Sequence, residues 1–299
     1  MRPSAKSKTK LEPSVTSWEF EAIGTHWWVG LFEHTSADRL IALQRKVAER
    51  IERFDKTYSR FRDDSLVSRI ATQAGVYAFP EDGRMLIELY KRLYDATDGA
   101  VTPLIGDLLV AAGYDAHYSL QAKEMRAPRA WDEVLTYADG VLTVRQPVVL
   151  DFGAAGKGYL VDIVANLLMD EGVHDFCIDA GGDLYVRGGN TIHVGLEHPD
   201  DVSKIVGVAE LDNQAVAGSS PNRRAWKDYH HIMDPHVLRS TVGLKASWVV
   251  ADSGLLADGL ATALFFVPPD KLKQFDFEYL LINDDNQYKQ SVNFPAELF

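Results

Sequence analysis

Apolar positions recur along the chain with two periods, and those periods mark the elements. Leu40, Leu43, Val47, Ile51 and Phe54 stand three or four residues apart behind Ser36, which predicts a helix with Ser36 as its N-cap. Met85, Leu86, Leu89 and Leu93 form a second stripe after Pro80, closed by Gly99. Leu160, Ile163, Val164, Leu167 and Leu168 form a third over about 158–170, and 252–266 contains a fourth helix. Between the helices the pattern is that of strands. Trp18 to Phe32 is rich in aromatic and aliphatic residues, with a turn at Gly24-Thr25. Val134, Thr136, Val141, Thr143 and Val148-Val149-Leu150 flank the hairpin signal Asp139-Gly140. Short strands punctuated by glycine are expected at 176–179, 184–187, 191–195, 205–211 and 246–250. Helices interleaved with hairpins predict the α+β class: mixed, largely antiparallel sheets with packed helices in two intimately associated lobes. No linker divides 17–299, which reads as a single domain. Residues 1–16, rich in Ser, Lys, Thr and Pro, read as a disordered tail.

The chain has 299 residues, 46% apolar and 25% charged, so it can bury a real core, and disordered or fibrous classes are excluded. Its 31 basic against 43 acidic residues give a net charge of −12, which excludes the basic surface that nucleic acid or an anionic membrane requires. A small phosphate ligand, needing only a few local donors, stays open. Cys177 is the one cysteine, so neither an intramolecular disulfide nor a cysteine zinc cluster can form. No apolar run is long enough to span a bilayer, and no apolar stretch follows the basic N-terminus, so a cytoplasmic location is expected.

Four segments carry candidate chemistry. Val148-Val149-Leu150-Asp151-Phe152 leads into Gly153-Ala154-Ala155-Gly156-Lys157-Gly158 and then a helix. A buried strand, a small-residue turn and a helix N-terminus make a phosphate cradle, with Lys157 adding a point charge. The spacing fits neither a P-loop nor a dinucleotide fingerprint. The same residues also read as a tight strand–helix turn with an exposed lysine. Asp258 and Thr262 are four apart, so they share one helix face and offer a carboxylate and a hydroxyl to a hard cation. The competing reading is a packed carboxylate with a hydroxyl bonded back to its own turn. Tyr229-His230-His231-Ile232-Met233-Asp234-Pro235 places histidines beside a carboxylate, a usable proton acceptor or else a turn with a hydrogen-bonded histidine. Tyr58-Ser59-Arg60-Phe61-Arg62 mixes rings with guanidinium groups ahead of a short helix capped at Asp64 or Ser65; Phe61 could stack on a flat ligand or simply edge a solvated loop.

Together these segments resemble the ApbE-like FAD:protein FMN transferase family. The resemblance also draws on Gly24-Thr25, Asp98-Gly99-Ala100, Tyr159, Asp162 and Ala180-Gly181-Gly182-Asp183, and it runs from about Gly24 to Phe266. Each piece alone is unspecific; their order and spacing carry the likeness. It implies a magnesium-dependent enzyme that moves FMN from FAD onto a Thr or Ser hydroxyl of an acceptor flavoprotein and releases AMP. It implies Mg²⁺ on Ala154, Asp258 and Thr262. FAD would lie on Ile23, Phe61, Ala100, Val101, Thr102, Asp151 and Lys157. His231 would be the first candidate to accept the hydroxyl proton and Asp234 the second. Two rivals use the same residues: an FAD pyrophosphatase, with water in place of the hydroxyl, and a non-catalytic FAD-binding protein. The chain departs from the family pattern at Thr102 (usually Asp), near Asp107 (usually Pro), at Ser219-Ser220-Pro221 (usually Thr-Ser-Gly) and after Pro235, where the usual glycine is missing.

Overall fold

The computed structural model describes residues 16–299. The tail expected over 1–16 lies outside the described residues except for Thr16, which opens the first strand. Eight strands form the main sheet: β1 (Thr16–Ala22), β2 (Thr25–Leu31), β3 (Phe176–Asp179), β4 (Leu184–Arg187), β5 (Ala215–Ser219), β6 (Leu244–Ala251), β7 (Glu278–Asn283) and β8 (Tyr288–Gln290). They lie across the sheet in chain order, and every neighbour is antiparallel. The four longest helices are α1 (Ala37–Tyr58), α2 (Gly83–Ala96), α3 (Gly156–Asp170) and α4 (Gly254–Ala263). Two small three-stranded antiparallel sheets lie beside them, one over 75–78, 135–138 and 141–144, the other over 192–198, 201–211 and 296–298, and two two-stranded ribbons pair 225–226 with 229–230 and 233–234 with 239–240. The class is the expected mixed, largely antiparallel α+β. Among the described residues no helix is long and apolar enough to cross a membrane.

The main sheet is buried on both faces, and strand alternation sorts its residues between two cores. Phe176, Ile178, Ala215, Ala217, Val249 and Ala251 join the core under the four helices. Cys177, Leu184, Val186, Val216, Trp248, Val250 and Leu280 join the core under the three-stranded sheet that contains 192–198. The two lobes are therefore two sides of one sheet. A third, smaller cluster sets Trp226 and Met233 against Leu108, Leu109, Ala112 and Tyr114.

Local chemistry accounts for the helix ends. Ser36 caps α1, its hydroxyl accepting from Arg39 N, and Ser65 caps the short helix Leu66–Thr72 in the same way. Two expectations are corrected. Met85 is exposed, because the buried face of α2 is made by Leu86, Ile87, Leu89, Tyr90 and Leu93. Val148-Val149-Leu150 is no strand; its amides are taken singly, Val149 N by Asp107 Oδ2 at 3.3 Å and Val148 N by the Ile70 carbonyl at 3.5 Å. The segment is buried and apolar because it threads between elements, and burial alone does not distinguish that from a sheet.

Candidate active site

Two glycines set the site. In α3, a Cβ at Gly158 would overlap the carbonyl oxygen of Gly254 in α4 and stand 2.7 Å from Asp258 Cβ. The helices touch backbone to backbone here, which only glycine permits. Asp162 of α3 fastens the contact, its carboxylate accepting from Gly254 N (2.6 Å) and Leu255 N (2.8 Å) at the start of α4. Burial pushes this carboxyl up to about 6 against the pull of those two amides.

That crossing brings Asp258 onto the first turn of α3, where its Oδ2 accepts from Gly158 N at 2.9 Å. One turn on, Thr262 donates to the Ala154 carbonyl at 3.3 Å and lies 3.4 Å from Ser219 Oγ of β5. Asp258 and Thr262 share a helix face, and both face the glycine turn. Asp183, 1% exposed at the start of β4, enters from the sheet. Lys157 Nζ forms an ion pair with it, yet neither Asp183 oxygen accepts a well-formed hydrogen bond. Burial raises the Asp258 carboxyl well above the ordinary carboxylate range, and Asp183 raises it further, while Lys157 and the Gly158 amide pull down. Asp183 lies close enough to disfavour the charge of Asp258 even with Lys157 and Arg224 acting on Asp258, and a cation between the two carboxylates would relieve that repulsion.

The donors are all oxygen: two carboxylates, a hydroxyl and a carbonyl. That set suits Mg²⁺ and does not suit zinc or copper. Neighbouring ligands of an octahedral Mg²⁺ stand about 3 Å apart, and the Thr262 Oγ1 to Ala154 O separation of 3.3 Å is close to that. Among the described residues no three His, Cys, Asp or Glu side chains gather to hold a metal, so an ion here would need the carbonyl, the hydroxyl and substrate oxygens as well. The residues present fit that requirement.

A second cluster adjoins the first through Tyr90. Its hydroxyl accepts from Ala154 N at 3.1 Å, and burial, Asp151 and Asp258 together raise its phenol well above the ordinary range. Asp151 pairs with Arg60 Nε and accepts from Gly153 N at 2.7 Å; burial would raise its carboxyl, but Arg60 prevails and holds it low. Arg60 also donates to the Tyr114 carbonyl at 2.8 Å and stacks 4.2 Å from the Phe61 ring centre. Ile23 sits at the β1–β2 turn with φ 45°, partly buried against the helical core. Ala100 and Val101 are buried, Val101 N donating to Thr97 Oγ1 at 3.0 Å. The Thr102 hydroxyl accepts from Leu104 N at 3.2 Å and so caps the turn that follows.

The two histidines differ. His230 Nε2 lies 2.9 Å from the Thr241 carbonyl and its Nδ1 accepts from Ile232 N at 3.3 Å, so this ring is structural. His231 Nδ1 is buried without a partner. Burial, then the charges of Arg224 and His230, push its imidazole down to about 3, so it stands neutral at pH 7. Asp234 Oδ1 accepts from His236 N (2.8 Å) and Val237 N (3.4 Å), the signature of an Asx turn.

Sequence reasoning had no assigned role for Asp183, Tyr90 or Arg224. The charge of Arg224 acts on Asp151, Asp258, His231 and Tyr114. The Ala180-Gly181-Gly182-Asp183 turn was the available signal for Asp183; nothing local marks Arg224.

A mixed fold that sets hard oxygen donors and a lysine at a helix N-terminus has the groups a phosphate ligand would use. The chain belongs to the ApbE family, whose pattern matches residues 23–278. It is 24% identical to a Klebsiella pneumoniae (strain 342) protein named FAD:protein FMN transferase, covering 96% of this chain and 89% of that one. A Vibrio cholerae protein of the same name is 27% identical over 77% of this chain and 74% of its own length. Among solved structures, the ApbE protein of Thermotoga maritima superposes with a TM-score of 0.81 at 21% identity, over 94% of this chain and 99% of that one. The flavin transferase ApbE from Vibrio cholerae does so at 0.76 and 22%, over 93% and 97%. At such identity the structural likeness is one of fold.

Proposed function

We propose that this protein is a magnesium-dependent FAD:protein FMN transferase. It would take FAD, move the FMN half onto a Thr or Ser hydroxyl of an acceptor flavoprotein, and release AMP. The observation that carries this is the convergence of Asp258, Thr262 and the Ala154 carbonyl beside Lys157 and Asp183. The names borne by the relatives support the same reading.

Bound Mg²⁺ would neutralise the diphosphate and align it for attack. Asp258, Thr262 and the Ala154 carbonyl would hold it. Lys157 would exchange part of its contact with Asp183 for phosphate oxygen. The amides of Gly153, Ala154, Gly156 and Gly158 are taken within the protein, so the attraction for phosphate would come from Lys157 and the positive end of α3. His231, neutral and unpartnered at Nδ1, would receive the acceptor hydroxyl's proton as the new O–P bond forms and the P–O–P bridge to AMP breaks. So weak a base cannot remove the proton beforehand, so transfer and attack are coupled. Arg224, beside His231, would favour the anionic leaving group and return of the ring to its neutral form.

Mass spectrometry of a candidate acceptor co-expressed with this protein tests the reading. A mass gain of FMN minus water on Thr or Ser, lost with Asp258→Ala, is the expected result. Rapid AMP and free FMN without acceptor would identify a pyrophosphatase instead. Bound FAD that yields no AMP with Mg²⁺ would identify a carrier. His231→Ala should slow transfer by about 10²–10⁴-fold with FAD binding intact; an unchanged rate refutes its role.

A further inference from the structure

Phe61 and Tyr118 stand out among the exposed aromatic side chains. Their rings are parallel within 7°, their centres are 5.5 Å apart, and they are 37% and 39% exposed. Tyr114 meets both edge-on, at 5.6 and 5.5 Å, and stacks in turn on buried Trp226. Phe61 is a fixed platform, because the Arg60 stacked on it is tied to Asp151 and to the Tyr114 carbonyl. Through Asp151, whose carboxylate accepts from Gly153 N, the pair is linked to the glycine turn of the site.

Tyr118 is different. It rides on 112–130, a stretch with neither helix nor strand, and its φ is +50°, with Leu120 at +54°. Left-handed backbone is costly for residues that carry a Cβ, and two such residues so close need a compensating structure. Asp115 supplies it: its Oδ1 accepts from His117 N and Ser119 N, each at 3.0 Å, and its carbonyl from Tyr118 N at 3.0 Å. Leu120 N to the Gly113 carbonyl (2.9 Å) and Lys123 N to the Ala111 carbonyl (2.7 Å) close the loop. A strained, purpose-built turn thus aims an aromatic ring at a second aromatic ring where solvent can reach both.

We propose that Phe61 and Tyr118 are the two jaws of a clamp that takes one flat heteroaromatic ring of FAD between them. This rests on the FAD reading above and names a residue, Tyr118, that the reading does not include. A ring held in van der Waals contact with both jaws needs their planes about 7 Å apart, so Tyr118 must swing out or slide. A loop without ladder hydrogen bonds allows this where the platform does not. Parallel stacking tolerates either the isoalloxazine or the adenine ring, and only separate titrations tell the two apart.

The test is calorimetric binding of FAD, riboflavin and AMP, each with Mg²⁺ and without acceptor, to the wild type, Tyr118→Ala and Tyr118→Phe. The clamp predicts FAD affinity weakened by roughly ten-fold or more in the alanine variant and kept in the phenylalanine variant. The half-molecule that loses affinity in parallel names the ring. Asp115→Ala, which releases the turn but keeps the ring, should weaken FAD binding in the same direction by less. FAD binding to Tyr118→Ala within two-fold of wild type overturns the clamp alone. A wild type that binds no FAD overturns the function proposed above together with it.

Discussion

The two faces of the main sheet are built from different side chains. Where β5 and β6 run under α4, the helical face presents Ala215, Ala217, Ser247, Val249 and Ala251; the opposite face of the same two strands presents Val216, Trp248 and Val250 with Ala246. The helices answer in kind, α4 offering Ala257, Gly259, Ala261 and Ala263. Small residues yield less apolar burial per position than large ones. What the helical face gains is proximity: α4 comes near enough to β5 for Thr262 to approach Ser219, and near enough to α3 for Asp258 to reach an amide. Under α4 the sheet gives up some apolar burial to place oxygen atoms, while the rest of the helical core keeps its large side chains.

That contrast can be broken by paired substitutions. Gly158→Ala forces α3 from α4 and should reduce FMN transfer by more than about 10²-fold, with destabilisation of about 1–3 kcal/mol. Leu280→Ala on the opposite face should cost about 2–5 kcal/mol of stability, read by denaturant melts, while the rate per folded molecule stays within about two-fold. Equal losses of rate would erase the distinction.

Asp162 sharpens it next. Its folded pKa of about 6 lies above the ordinary 3.8, so the stability it confers is complete below about pH 4 and is lost as pH rises through about 6. The stability difference between wild type and Asp162→Asn should shift by up to about 3 kcal/mol across that window, to the wild type's disadvantage at the higher pH. A difference that stays flat with pH would show that the α3–α4 fastening does not feel its burial. Ser247→Ala is the smallest effect: loss of the buried hydroxyl's bond to the Ala261 carbonyl (2.6 Å) should cost about 1 kcal/mol, seen as a small drop in melting temperature.

Much of this was legible in the sequence, for identifiable reasons. The helical stripes, the serine caps, the Asp139-Gly140 hairpin and the shared face of Asp258 and Thr262 depend on neighbours within four residues, and local spacing reports them. The glycine turn is legible as a helix start, but the segment before it carries the pattern of a strand, since threading between elements leaves the same apolar signature. Asp183, Tyr90 and Arg224 come to Asp258 and Asp151 from distant parts of the chain, and no local period marks such a meeting. Lys157 is visible in the sequence as part of the turn, whereas its ion pair with Asp183 depends on the sheet. Tyr118 lay in a stretch with no pattern at all, and only its backbone angles single it out.

The strands lie across the main sheet in chain order, yet Leu31 of β2 pairs with Phe176 of β3. Between those partners the polypeptide makes the long helices α1, α2 and α3 with several shorter ones, a small sheet and the glycine turn before it returns. Joining two such distant residues is entropically slow, so the central ladder should be among the last contacts to form as the chain folds. Until it closes, the lysine and the paired carboxylates have no common location, and a half-folded molecule has no assembled site.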